Sequence, residues 1–263
     1  ITLELMKLVR QTWPRVKMSV SFDTSWHSGL KPEAYLYSLP ISFYKKHHIR
    51  KYGFHGLSHE AATNYTAKLL NKKINKLKLI TCHLGSGGSI TWYLDGQVKD
   101  TSMGFSPNEG LTMSTRSGDL PPSVVLYLAS ELKMPLSKIN TLLNKQAGLL
   151  GLAGMSDLRN ILLASGYKVK GYKSSLKFSK EQKKVAKLAL DIYIYDIRRY
   201  IASYLAMSKK LDAIVFIGPV AVNNTIRSMI MKGLQKPKGT KVLLAPEGES
   251  INIANKTIKC LSK

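Results

Sequence analysis

The sequence predicts an α/β fold with a mixed sheet flanked by helices, and three features carry that expectation. Leu211 to Gly218 (Leu-Asp-Ala-Ile-Val-Phe-Ile-Gly) is an apolar run of the kind buried in parallel or mixed sheets. Asp95-Gly96 lies between two strand-like segments and marks a hairpin. Lys180 to about Met207 is a long helical block with Leu190, Ile194, Ile197, Ile201 and Leu205 on one stripe. Val185, Leu188 and Ile192 widen that stripe, which implies packing on both sides, one of them a sheet.

The remaining elements follow in chain order. Lys17 to Phe22 alternates polar and apolar side chains, as a half-buried strand does, and ends at Asp23-Thr24. A carboxylate just past a strand's C-terminal end is where such sheets usually place chemistry. Lys31 to Pro40 reads as a loop with a short helical turn, Ser42 to His48 as a helix, and Ile49 to Gly56 as another strand-to-loop edge. Ser58 opens a helix, with Glu60 behind it and apolar positions at Ala67 and Leu70. Lys78 to Cys82 is a short strand that meets His83-Leu-Gly-Ser-Gly-Gly88. The chain then runs as a strand from Ser89 to Leu94, turns, and returns over Gln97 to Asp100. Pro122 to about Leu132 is helical, Lys241 to Ala245 a strand, and Ile251 to Leu261 a closing helix.

Composition sets outer bounds. With 263 residues and 44% hydrophobic content the chain can bury a sizeable core. The longest nearly uncharged apolar run, Ala213 to Val222, is far short of a membrane span, and no basic-then-apolar leader opens the chain. Cys82 and Cys260 fit neither a metal site of the usual kind nor a disulfide framework, so a reducing cytoplasm is expected. The formal charge of +24 raises nucleic acid as a partner. Its lysines gather in Asn71 to Lys78 and Lys168 to Lys187 without the interleaved aromatics and glycines of an RNA-binding sheet. A solvated, anion-attracting surface is the expectation instead.

Four polar points fall at expected strand ends or tight turns: Asp23, His55, the Gly85 to Gly88 turn after His83, and Arg116. Successive N–H groups of a glycine-rich turn can converge on an anion. This turn joins two hairpin strands, so it is neither a Walker loop nor a dinucleotide fingerprint; alone it fits simple tight geometry equally well. Arg116, in Leu111-Thr-Met-Ser-Thr-Arg-Ser-Gly-Asp119, is held among Ser and Gly turns, a setting suited to a fixed anion, while the segment taken alone reads more readily as an exposed loop arginine.

The order of motifs is more specific. Phe22-Asp-Thr-Ser-Trp-His27, Arg50-Lys-Tyr-Gly-Phe-His-Gly-Leu-Ser-His59 and Cys82-His-Leu-Gly-Ser-Gly-Gly-Ser-Ile90 resemble the acetate kinase family. So do Asp100-Thr-Ser-Met-Gly104, Glu109 to Asp119 and Gly148-Leu-Leu-Gly-Leu-Ala-Gly-Met-Ser-Asp-Leu-Arg159. The resemblance implies the actin-like, sugar-kinase and heat-shock ATPase (ribonuclease H-like) fold. It also implies transfer of the terminal phosphoryl of ATP to acetate with Mg²⁺, giving acetyl phosphate and ADP, in a homodimer. Carried over by position, Asp23 would orient the reactants or the metal, and His55 and Arg116 would stabilise the transferring group. His83, Gly85, Ser86 and Gly87 would hold nucleotide phosphates. Asp157, Leu158, Arg159, Gly218 and Asn223 would border the nucleotide, Phe54 and Pro107 would line the acetate methyl pocket, and Glu249 would be metal-linked.

Three departures accompany the resemblance. Ser86 stands where the family has Asn, and Pro219, Ala221 and Val222 replace Gly, Gly and Glu beside the adenosine. The family's N-terminal phosphate loop, Asn-x-Gly-Ser-Ser-Ser, is expected before Ile1. The implied division is therefore 1–26 as the tail of an N-terminal kinase domain and 27–249 as the C-terminal domain, with 250–263 a helix packing back on the former. Kinases of propionate or butyrate, a pyrophosphate donor, and an inactive dimerising fragment are the rival readings.

Overall fold

The computed structural model describes residues 2–262. Strands β1 (Lys78–Leu84), β2 (Gly88–Leu94) and β3 (Gln97–Thr101) form an antiparallel meander. Strands β4 (Ala213–Ile217) and β5 (Lys241–Leu244) add in parallel beyond β1, giving the order β3-β2-β1-β4-β5. The hairpin between β2 and β3 turns at Asp95 (φ 50°) and Gly96 (φ 90°), the positive pair that matches strand twist.

Period-two alternation divides the sheet residues between two cores. Ile80, Cys82, Leu84, Ile90, Trp92, Ile214 and Phe216 face one way, and Leu79, Tyr93, Ala213, Val215 and Ile217 the other. Helix α4 (Gly56–Leu69) covers the second face with Ala62. The first face is covered by α7 (Gly148–Ala153), α8 (Leu158–Ala164), α9 (Lys180–Ala206) and α10 (Asn224–Met231). Helix α9 starts in a capping box, Ser179 with Gln182, and buries Leu190, Ile194, Ile197 and Ile201. Each such side chain contributes roughly 1.5–3 kcal/mol. The expected stripe is therefore the core stripe, except that Leu188 is 57% exposed.

The remaining helices are α1 (Thr2–Thr12), α2 (Pro32–Tyr35), α3 (Ile41–His47), α5 (Pro122–Ser130), α6 (Leu136–Thr141) and α11 (Glu249–Leu261). Helix α11 lies on α4: Asn252 Nδ2 donates to the Leu57 carbonyl (3.1 Å) and to Glu60 Oε2 (3.0 Å), and Lys256 pairs with Glu60 (2.7 Å).

Two expected strands are absent. Lys17 to Phe22 and Ile49 to Gly56 have no ladder partner among the described residues, and alternation without a neighbouring strand leaves backbone groups to other acceptors. Ser19 Oγ bonds Thr257 Oγ1 of α11 at 2.8 Å instead, and Asp23 lies in a turn before the short helical turn Ser25–His27. Helix α4 begins two residues before Ser58, at Gly56, because His55 adopts a left-handed conformation (φ 57°) as its N-cap. Helices α1, α6, α7, α8 and α10 were not anticipated from the sequence.

One glycine fixes how the parallel half joins the hairpin. Gly218, just past β4, has φ 95°, and a Cβ there would lie 2.6 Å from the Leu84 carbonyl oxygen. Gly218→Ala is expected to cost about 1–3 kcal/mol from backbone conformation alone, read as a lower midpoint of denaturant unfolding. Unchanged stability would contradict this account of the junction.

Candidate active site

The site forms where β1 ends. The Gly85 amide donates to the Gly87 carbonyl (2.8 Å), closing the tight turn into β2. The next loop docks on that turn through the Ser114 amide and the Ser86 carbonyl (3.1 Å). The same loop is clamped from α7: the Leu149 and Leu150 amides donate to the Met113 and Ser114 carbonyls, both at 2.9 Å. A Cβ on Gly148 would lie 2.1 Å from the Met113 oxygen, so only glycine permits that approach. Arg116 projects from this braced loop, and its Nη1 donates to the Pro107 carbonyl at 3.1 Å.

His55 enters from the α4 side. Asp23 holds that helix start, its Oδ2 accepting the His55 amide (2.7 Å) and its Oδ1 the Leu57 amide (3.4 Å). A carboxylate is favoured there by the helix dipole. Gly87 locates the meeting point. A Cβ added to it would lie 3.3 Å from His55 Cε1, 3.4 Å from His55 Nε2 and 3.4 Å from Arg116 Nη1. Imidazole and guanidinium thus flank one gap over the turn.

The His83 ring lies 4.3 Å from that of His55, centroid to centroid. Burial lowers the His83 pKa, and the negative field of Glu249, Asp23 and Glu247 opposes the shift. Glu249 accepts from the Ser58 hydroxyl at 2.6 Å, which ties α11 to α4 beside the site. Burial, followed by the fields of His83 and Arg116, holds the His55 pKa down at about 3. His27 is likewise held at about 3, by burial and then Lys51, and His59 is held well below its ordinary value by burial.

A cleft of about 1050 Å³ opens from this point. Gly85, Ser86, Arg116, Asp157, Leu158, Arg159 and Asn223 line it, so seven of the expected residues share one cavity. Three of them also have local structural work. Asp157 caps α8 by accepting the Arg159 amide (2.8 Å), Arg159 Nη2 donates back to Asp157 Oδ2 (2.7 Å), and Asn223 caps α10 through the Ile226 amide (3.2 Å). His55, His83, Gly87 and Gly218 lie outside the lining, Gly218 under Leu84. Phe54 is half-buried next to His55, while Pro107 meets Arg116 through its carbonyl.

Apart from His83, the layer below was not anticipated from the sequence. Thr81, His83, Ser89 and Thr91 occupy alternate positions of β1 and β2 and point to the α4 face, where His27 and His59 meet them. Period two along the two strands carried that signal, but polar residues inside a buried strand have no meaning until their partners are placed.

The fold defines the actin-like, sugar-kinase and heat-shock ATPase class, a mixed five-stranded sheet flanked by helices. The chain belongs to the Acetokinase family, whose model matches residues 2–242. It is 39% identical over 274 aligned residues to an acetate kinase of Desulfitobacterium hafniense, covering 95% of this chain and 65% of that protein. It is 44% identical to the acetate kinase of Proteus mirabilis, covering 86% and 54%. The chain thus spans less than two thirds of the length of these curated relatives. Among solved structures, Porphyromonas gingivalis acetate kinase superposes with a TM-score of 0.86 at 30% identity, over 98% of this chain and 68% of that one. A Francisella tularensis propionate kinase gives 0.87 at 32%, with the same coverages.

The neutral histidines give stability a distinctive pH dependence. Their folded pKa values lie below the unfolded value near 6.5, so between pH 6.5 and about 3 the unfolded chain binds more protons and stability falls as pH falls. Carboxylates scarcely titrate above pH 5, which isolates the histidines in the upper part of that window. Denaturant unfolding at pH 7 and pH 5 is expected to differ by up to about 2 kcal/mol per buried histidine. Equal stability at the two values would contradict neutral burial.

Proposed function

We propose that this chain carries the phosphoryl-transfer centre of an acetate kinase, moving a phosphoryl group reversibly between ATP and acetate. The observation that carries this reading is the single gap between His55 and Arg116 above Gly87. Phosphoryl transfer needs in-line positioning and neutralisation of charge on the equatorial oxygens more than covalent help. Arg116 supplies a preorganised cation, and His55 supplies a hydrogen-bond donor in a site largely shielded from water.

The cleft beyond the gap receives the donor. Its volume suits a nucleotide rather than pyrophosphate alone. Pro219 and Val222, in place of the family's Gly and Glu, line it without closing it. Gly85, Ser86 and Gly87 then face the phosphates, and Asp157 and Arg159 the nucleoside. Phe54 and Pro107 meet the methyl of acetate on the other side of Arg116.

Among the described residues no cluster of three His, Cys, Asp or Glu side chains could hold a metal. That fits Mg²⁺, which binds through one or two carboxylates and the substrate phosphates. Glu249, with Asp23 nearby, would hold it, directly or through water. When bound, Mg²⁺ neutralises charge on the phosphates.

The same reading assigns a second copy of the chain to the apolar side of α5, where Leu126 is 66% exposed and Leu136, in the following helix, 73%. Residues 1–26 and 250–263 go with an N-terminal kinase domain and 27–249 with the C-terminal one. No helix among the described residues is long and apolar enough to cross a membrane. A cytoplasmic setting accompanies the reading, with both cysteines free.

Hydroxylamine trapping of acyl phosphate in the full-length protein, with ATP or pyrophosphate and with acetate, propionate or butyrate, tests the activity. ATP with acetate is expected to give the highest rate. Arg116→Ala is expected to lower turnover by about 10³-fold or more with the fold intact. A loss under about tenfold, ~1.4 kcal/mol in barrier, would remove Arg116 from this role.

A further inference from the structure

Beneath the gap runs a chain of hydrogen bonds that this reading leaves unused. His59 is completely buried; its Nδ1 lies 2.7 Å from Thr81 Oγ1 and its Nε2 2.7 Å from Ser89 Oγ. The same Ser89 hydroxyl lies 2.9 Å from His55 Nδ1. His55, by contrast, is half-buried and reaches the Gly87 turn.

Each link constrains the next. Burial keeps His59 neutral, so one ring nitrogen donates and the other accepts. Thr81 and Ser89 therefore play opposite parts toward it. Ser89 has one proton and gives it either to His59 or to His55. Two arrangements satisfy all three contacts. In the first, Thr81 donates to His59, His59 to Ser89, and Ser89 to His55 Nδ1, which leaves the His55 proton on Nε2. In the second every donor reverses, and His55 Nε2 carries only a lone pair.

Thr81 separates the two. If it accepts from His59, its proton must go to the Thr91 carbonyl at 3.4 Å, well beyond the usual O–H···O separation of about 2.7–2.8 Å. Donation to His59 at 2.7 Å is the better use of that proton. We infer that His59 is a positioning residue: through Ser89 it fixes the ring proton of His55 on Nε2, the nitrogen that faces Gly87 and Arg116. This rests on the reading that a phosphoryl group occupies the gap. An N–H there donates to a phosphoryl oxygen, whereas a bare Nε2 would set a lone pair against it.

The chain explains why the two strands spend buried positions on Thr81 and Ser89. It also separates His59 from residues that touch substrate, because its influence passes entirely through the orientation and tautomer of another ring. Glutamine can reproduce the donor order at position 59, with its carbonyl accepting from Thr81 and its amide donating to Ser89. Leucine fills similar space and transmits nothing.

Nitrogen-15 spectra of the full-length protein, with His55 assigned by its loss in His55→Ala, are expected to show Nε2 protonated and Nδ1 bare. The opposite tautomer overturns the inference, and this arm needs no variant of His59 to fold. In kinetics, His59→Leu is expected to lower kcat about tenfold or more with KM for both substrates nearly unchanged, while His59→Gln keeps most of kcat. In a His55→Ala background the same leucine change is expected to alter kcat by less than about twofold. Equal losses in both backgrounds overturn the inference. So does a full kcat in His59→Leu when His55→Ala is impaired. Full turnover in His55→Ala removes the phosphoryl-transfer role of His55 itself, a different failure.

Discussion

The end of β1 is the constraint on which the rest depends. Within two residues of Leu84 the backbone reverses into β2, receives the loop after β4, and accepts the Arg116 loop on top. The Val220 amide donates to the Leu84 carbonyl at 3.0 Å, and the Ser114 amide reaches Ser86. None of this closes with side chains in the way. Gly218 has no room for a Cβ, and Gly87 has room only by entering the gap between His55 and Arg116. Glycine at these positions lets three separate segments approach one point.

From that junction the chemistry follows by packing rather than by local motif. Asp23 fixes the start of α4, which presents His55. The α7 amides fix the loop that presents Arg116. The two groups are held by different segments and meet over Gly87 of the β1–β2 turn. The Ser89 hydroxyl contacts the His55 ring, and burial with the nearby Arg116 keeps that ring neutral. Preorganisation of this kind lowers a barrier because little has to move when charge develops.

Much of the sheet was legible in the sequence because its residues obey period two and its turns carry Asp-Gly or glycine-rich signals. The long α9 stripe was legible for the same reason at period 3.6. The two strands wrongly expected at Lys17–Phe22 and Ile49–Gly56 show the limit of that signal: alternation says that a segment could be half-buried, not that a partner strand lies beside it. Short helices α7, α8 and α10 were missed because their residues are apolar on most sides or begin at glycine and asparagine, where propensity is weak. Site residues near turns, His55, Gly85 to Gly87 and Arg116, stood out as polar or glycine positions at expected strand ends and tight turns. His59 did not, since a buried histidine has no visible purpose until Thr81 and Ser89 are placed against it. Asp157 and Asn223 showed the reverse: expected beside the nucleotide, they cap helices α8 and α10 in the structure.

The central claim is that one phosphate-sized space lies between His55 and Arg116. Gly87→Ala tests it most directly, because the added methyl would sit 3.3 to 3.4 Å from both groups, its nearest neighbours. Calorimetric titration of the full-length protein with inorganic phosphate, beside denaturant unfolding of the same samples, separates the site from the fold. The account predicts phosphate affinity reduced about tenfold or more, near 1.4 kcal/mol, with unfolding stability essentially unchanged. Undiminished phosphate binding in the alanine variant would contradict it.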